Sequence, residues 1–195
     1  TMRYRFISHD VQLITADLTG SSSFTATGRV GYQDSGTTVL QYIVCNTALA
    51  PLDSPAFRQA LSLGINREDV AEAFLSGHGI AAQFPVSPLS ELYPAELETR
   101  YSYDGFVQAL ADCGYVSERT LALLVNEENT FKVSVANALA EDFTAAGVPV
   151  ETRVLPWEDY MLALTGGDFD LCYGEVRLPA NWDLSSLLSS GGCLL

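Results

Sequence analysis

Trp157 and Trp182 are the two tryptophans of this 195-residue chain, and each falls where a strand gives way to something else. Trp157 follows Leu155-Pro156 at an expected strand-to-helix junction. Trp182 lies in the loop Arg177-Leu178-Pro179-Ala180-Asn181-Trp182-Asp183, after the last expected strand. In sheets that alternate strands with helices, the loops at the strands' C-terminal edge hold ligands. Tryptophan there offers a broad apolar face with one polar N–H. The same two residues would serve equally as plugs at the end of the core, where tryptophan also packs well. Periodicity does not choose between these readings.

Other chemistries find less support. His9 and His78 are the chain's two histidines, so a histidine-rich metal centre is excluded within it. A Ser-His-Asp triad would have to use one of them, and no G-x-S-x-G elbow is present. Carboxylates are abundant, but nothing in the spacing makes two of them converge as a glycosidase requires. Gly77-His78-Gly79-Ile80-Ala81-Ala82 fits a loose G-x-G-x-x-A pattern. The dinucleotide mechanism needs a strand before it and a helix N-terminus after it; here a helix precedes and a proline-rich loop follows. No catalytic residue, metal ligand or cofactor is therefore expected. Cys45, Cys113, Cys172 and Cys193 lack C-x-x-C spacing and read as small apolar fillers.

Apolar residues make up 48% of the chain, enough for a real core. Acidic residues number 24 against 10 basic ones, a net charge of −14 that disfavours nucleic acid and anionic lipid as partners. No apolar run approaches the ~20 residues a membrane helix needs. No signal peptide opens the chain, and both ends read as cut from something longer.

These residues need elements to hold them. Met2 to Ser8 alternates like a strand, Val11 to Ala16 is a possible second, and Gly28 to Gln33 is weakly strand-like. Asp34-Ser35-Gly36 turns into a β-branched, aromatic run from Thr37 to Cys45. Ser54 caps an amphipathic helix carrying Ala56, Phe57, Ala60, Leu61, Gly64 and Ile65 on one face. Asn66 caps another, Arg67 to Leu75, closed by Gly77. Gly77 to Pro94 is a long connection, and such connections often carry function. Asp104 caps a further helix through Cys113, ended by Gly114. Strand Thr120–Val125, helix Phe131–Ala146, strand Val150–Leu155, helix Glu158–Leu164 and strand Phe169–Tyr173 follow in turn. This series predicts an α/β (α+β) fold, a mixed sheet with flanking helices, as a single domain over residues 1–195.

From Tyr42 onward the chain resembles the extracellular solute-binding proteins of family 5. Tyr42-Ile43-Val44-Cys45-Asn46 is similar to the family's strand that closes on an asparagine. Arg58-Gln59-Ala60-Leu61 with Ile65-Asn66-Arg67 resembles its "R-Q-A-L … I-D-R" helix pair, with Asn66 where Asp is usual. Gly77 to Pro88 resembles the Gly-and-Pro segment after it. Tyr103-Asp104 through Gly114-Tyr115, Ala146-Gly147-Val148, Trp157-Glu158-Asp159-Tyr160 and Gly167-Asp168-Phe169-Asp170 resemble later motifs in their order, and Asp183-Leu184 falls where "D-P" is usual.

The resemblance implies one lobe of a type II (class C) periplasmic binding protein, the second, C-terminal-type lobe, with the first lobe missing. It implies a non-catalytic receptor for a small peptide or similar solute. Such a receptor is extracellular, lipid-anchored or periplasmic, and works with an ABC permease and ATPase. Trp157 matches a tryptophan that walls the pocket in dipeptide-binding members. An Arg and a Tyr of that pocket fall near Asn126 and Glu128. The Asp that anchors a peptide's amine falls on Ala180 or Asn181, so Asp183 or Glu128 takes that role or the solute is not a simple dipeptide. Asn46, Asn126, Glu128, Trp157, Arg177, Asn181, Trp182 and Asp183 are thus the candidate ligand residues. A sensory module keeping this fold is an alternative, and an α/β hydrolase a weaker one.

Overall fold

The computed structural model describes residues 2–17, 19, 30–31 and 33–188. Its elements are helix α1 (Met2–Ile7), strand β1 (Val39–Cys45), α2 (Pro55–Leu63), α3 (Arg67–Leu75), α4 (Tyr103–Asp112), β2 (Leu121–Asn126), α5 (Thr130–Ala145), β3 (Val150–Leu155), α6 (Trp157–Gly166), β4 (Leu171–Arg177) and α7 (Ser185–Leu188). The four strands form one sheet in the order β1-β4-β2-β3. β2 runs parallel to β3 and β4. β1 runs antiparallel to β4, with Val39 opposite Arg177 and Cys45 opposite Leu171. The sheet is therefore mixed, as the sequence predicts.

Alternation along the strands gives the sheet two faces. One face carries Leu121, Leu123, Val125, Leu171 and Tyr173 into the main core, where they meet Phe57, Phe106, Leu110, Val135, Leu139 and Phe143 from α2, α4 and α5. The other face carries Leu124 and Cys172 against Tyr160 and Ala163 of α6. Helices on both faces leave the strand ends as the places where polar side chains collect.

The helices start and stop as their sequences dictate. The Ser54, Asn66, Ser102 and Asn129 side chains each accept an N–H in the first turn of α2, α3, α4 and α5. Gly64, just after α2, leaves no room for a side chain: a Cβ there would lie 2.6 Å from the Phe106 ring. Its lack of a side chain is what lets α2 and α4 approach. Gly77 closes α3 with a left-handed φ of 76°.

Four expectations need correction. Ser102, and not Asp104, caps α4: its hydroxyl accepts the Gly105 N–H at 3.1 Å, and Asp104 lies inside the first turn. Met2–Ile7 is a helix with no buried residue, not a strand. A strand needs a neighbour to take its backbone hydrogen bonds, whereas a helix satisfies them locally, and no described residue pairs with this segment. Val11 to Ala16 forms no strand, for the same reason. The last strand begins and ends later than expected, at Leu171 and Arg177, because β1 pairs along all of its polar end. Much of the Gly28–Gln33 segment, and Cys193, lie outside the described residues. Cys45, Cys113 and Cys172 are free thiols, Cys172 buried. Burial pushes the Cys45 and Cys172 thiols above their ordinary range.

Candidate functional site

The C-terminal ends of β2, β3 and β4 share one edge of the sheet. Asn126, the last residue of β2, lies opposite Leu155, the last of β3. Past these ends the two loops are tied together. The Glu127 N–H donates to the Leu155 carbonyl at 2.8 Å. The Trp157 N–H donates to a Glu128 carboxylate oxygen at 2.8 Å. The Asn126 amide lies 3.5 Å from the other Glu128 oxygen. Pro156 precedes α6 and offers no side-chain cap, so Glu128 supplies one from the neighbouring loop. The bond from Trp157 holds the Glu128 carboxyl below its usual range, aided by its own backbone N–H.

Trp157 stacks on Tyr160, with ring centroids 5.6 Å apart and an interplanar angle of 24°. Trp157 nonetheless stays 54% exposed. Tyr160 itself is buried, with its hydroxyl 3.3 Å from the Cys172 sulfur and donating to the Tyr173 carbonyl. Burial pushes that phenol far above its ordinary range. The exposed tryptophan therefore stands on a fixed aromatic base.

Arg177 ends β4 on the same edge and makes no ion pair among the described residues. The loop after it folds on itself. Leu178 is buried and its N–H donates to the Thr38 carbonyl. The Asn181 side chain accepts the Asp183 N–H at 3.2 Å, and Trp182 adopts a left-handed φ of 56°. Asp183 accepts the N–H and hydroxyl of Ser185 at the start of α7, and those two bonds hold its carboxyl below the usual range. Asn126, Glu128, Trp157, Arg177, Asn181, Trp182 and Asp183 thus belong to one edge, with β4 separated from β3 by β2 alone.

Asn46 does not join them. It follows β1, which runs opposite to β4, and so sits at the far edge beside the start of β4. There its N–H donates to the Asp170 carbonyl and its amide to the Gly167 and Phe169 carbonyls. These bonds make Asn46 a clasp for the turn before β4. The far edge also holds a cleft of about 530 Å³, lined by residues including Ala50, Arg119, Arg153 and Asp170. Both its arginines are already paired, Arg119 with Asp170 and Arg153 with Asp168.

Three polar residues escape a reading by motif. Gln41 lies directly opposite Glu175 in the β1–β4 register and donates its amide to the Glu175 carboxylate. Lys132, in the first turn of α5, places its ammonium 3.4 Å from the same oxygen. For Glu175 the sequence signal was the alternation of β4, which sets it and Arg177 on one face with Tyr173; Gln41 and Lys132 join it only through the fold.

Residues 1–191 match the family described as bacterial extracellular solute-binding proteins, family 5 Middle. The chain belongs to that family. Heme-binding protein A of Haemophilus influenzae is 30% identical over 160 residues, covering 76% of this chain and 29% of the relative. Oligopeptide-binding protein AppA of Bacillus subtilis is 25% identical over 146 residues, covering 67% of this chain and 24% of the relative. The chain therefore matches only 24% to 29% of the length of these curated relatives. The structure of AppA in complex with a nonapeptide shares the fold at a TM-score of 0.70 and 23% identity, covering 80% of this chain and 34% of that one. NikA of Staphylococcus aureus, solved with Ni(L-His)2, shares it at a TM-score of 0.69 and 14% identity, covering 81% of this chain and 35% of that one. The fold is that of the type II periplasmic binding proteins, as the family 5 motifs imply.

Proposed function

We propose that this family 5 chain is one lobe, a single domain, of a non-catalytic solute receptor that delivers its ligand to an ABC permease outside the cytoplasmic membrane. The observation that carries this reading is the joining of Glu128 to Trp157, which fixes an exposed tryptophan at the same strand-end edge as Arg177 and the 178–183 loop. One lobe supplies an open half-site, and a second lobe closing over it would expel water and strengthen its few polar contacts. The solute is a small peptide or a molecule of similar size, held by apolar stacking on Trp157 and by charge complementarity with Arg177 and Asp183. Trp182 would line the same edge. Lipid anchoring of the whole receptor is part of the same reading.

Membership in a family whose relatives are named for binding oligopeptide and heme supports a receptor over an enzyme. The test is a thermal-shift screen of the full two-lobed protein against short peptides, sugars, nickel–histidine and heme. A true ligand raises the melting temperature by mass action. A shift with one class, abolished by Trp157→Ala, is the expected result. No shift with any class, together with turnover of an ester or amide, would overturn it.

A further inference from the structure

We propose that the outer edge of β3, with the groove it forms against α5, takes a short extended segment of a partner protein carrying a basic side chain. This site lies on the flank of the sheet and does not depend on where the solute sits. β3 ends the strand order β1-β4-β2-β3, so β2 pairs with it on one side and its other side is an edge. The Leu121 N–H donates to the Pro149 carbonyl, and the Glu127 N–H to the Leu155 carbonyl. Alternate residues of β3 thus face β2, and Val150, Thr152 and Val154 turn their N–H and C=O groups outward. The Thr144 hydroxyl closes the first of these rungs, accepting the Val150 N–H at 3.1 Å and donating to the Val150 carbonyl at 3.3 Å. The rungs at Thr152 and Val154 have no partner on that side among the described residues. Pro149 and Pro156 bracket the strand, so the open stretch admits a segment of a few residues and no long ladder.

Beside these rungs runs a groove of about 550 Å³, lined by Asn137, Glu141 and Thr144 of α5 and by Val150 and Thr152 of β3. The Thr152 hydroxyl oxygen is buried and has no hydrogen-bond partner. An orphan of this kind is costly, and a polar group entering the groove would satisfy it. Asn137 and Glu141 stand one turn apart on α5. Glu141 is exposed, and its carboxylate makes no ion pair among the described residues. Burial, then the Glu141 and Asp69 charges, hold the neighbouring Asp142 carboxyl above its usual range, so this wall is negative. The net charge of −14 favours a basic segment and disfavours a second copy of this chain. A strand laid along β3 points alternate side chains to the α5 face. A lysine or arginine opposite Thr152 then reaches the Glu141 carboxylate, while its backbone pairs at Thr152 and Val154.

The test uses the full-length protein and two pentapeptides capped at both ends, Val-Thr-Lys-Thr-Val and the same sequence with glutamate at its centre. Each is titrated to millimolar concentration by calorimetry, with hydrogen–deuterium exchange to locate it. The lysine peptide should bind and protect segment 150–154, and the glutamate peptide should not. Glu141→Lys should weaken the lysine peptide about tenfold and let the glutamate peptide bind, because the charge preference of the groove is reversed. Thr152→Pro deletes an outward N–H and spares the ladder to β2, so it should abolish binding. Should Thr152→Pro fail to fold, the exchange of preference in Glu141→Lys decides. Binding of neither peptide, or equal binding of both, would overturn the proposal. So would slow exchange at 150–154 before any peptide is added, which would show the edge covered by the rest of the receptor. Dimerisation of the protein alone, lost in Thr152→Pro, would give the edge to a second copy and overturn the basic-segment reading.

Discussion

The Glu128 carboxylate accepts the Trp157 N–H at 2.8 Å, joining the loop after β2 to the first turn of α6. It gives an exposed tryptophan a fixed backbone position without burying it. It also explains why α6 can begin at a proline-preceded residue with no capping side chain of its own.

This bond should be visible in acid. The bond holds the Glu128 pKa below its ordinary value, so the carboxylate form persists through neutral pH and the bond is lost only as pH falls through the lowered value. In a Trp182→Phe background, Trp157 emission should be flat from neutral pH to about 4, the ordinary glutamate range, and step below it. Glu128→Gln should lack the step.

At the far edge, Asp170 is held by two Arg119 nitrogens and by the Ala122 N–H, the last at 2.9 Å. Burial alone would raise its carboxyl; the Arg119 hydrogen bonds, the Ala122 N–H and the Arg119 charge outweigh it and pull the carboxyl below its ordinary value. A depressed carboxylate contributes stability above its unfolded value, about 3.9, and loses it as pH falls through the folded value. Asp170→Asn should therefore cost about 2 kcal/mol at pH 7 by urea unfolding, less than a fully buried pair because Arg119 is partly exposed. The difference from wild type should shrink below pH 3.

Gly64→Ala tests the packing of α2 on α4. The new methyl meets the Phe106 ring at 2.6 Å, and overpacking of this kind costs about 1–3 kcal/mol. Chemical denaturation should show that loss, and Phe106→Leu in the same chain should recover part of it.

The single lysine gives a simple check on the β4 cluster. With its side chain 14% exposed and its ammonium beside Glu175, Lys132 should react slowly with an amine-directed reagent. Glu175→Gln should speed that reaction several-fold, read by peptide mapping after brief exposure.

Much of this was legible in the residues. Val150–Leu155 matches its expected bounds at both ends, because a β-branched run between Gly147-Val148-Pro149 and Pro156 has few other options. That Trp157 and the 178–183 loop share one edge was legible too, since parallel strands joined by helices bring their C-terminal ends together. That Asn46 sits apart from the other candidates was not legible, because residue types do not reveal that β1 runs against β4. Glu175 and Gln41 were missed because their partnership exists only in the cross-strand register. The N-terminal helix defeated a period-two pattern that finds no strand to pair with among the described residues.

Hydrogen–deuterium exchange on the full-length protein, with and without a mixed pool of short peptides, asks where the solute sits. Protection should concentrate in the segments 127–131, 157–159 and 175–183, with little change at 46–50 and 167–170. Protection confined to the latter two segments would place the solute at the opposite edge of the sheet and contradict the account.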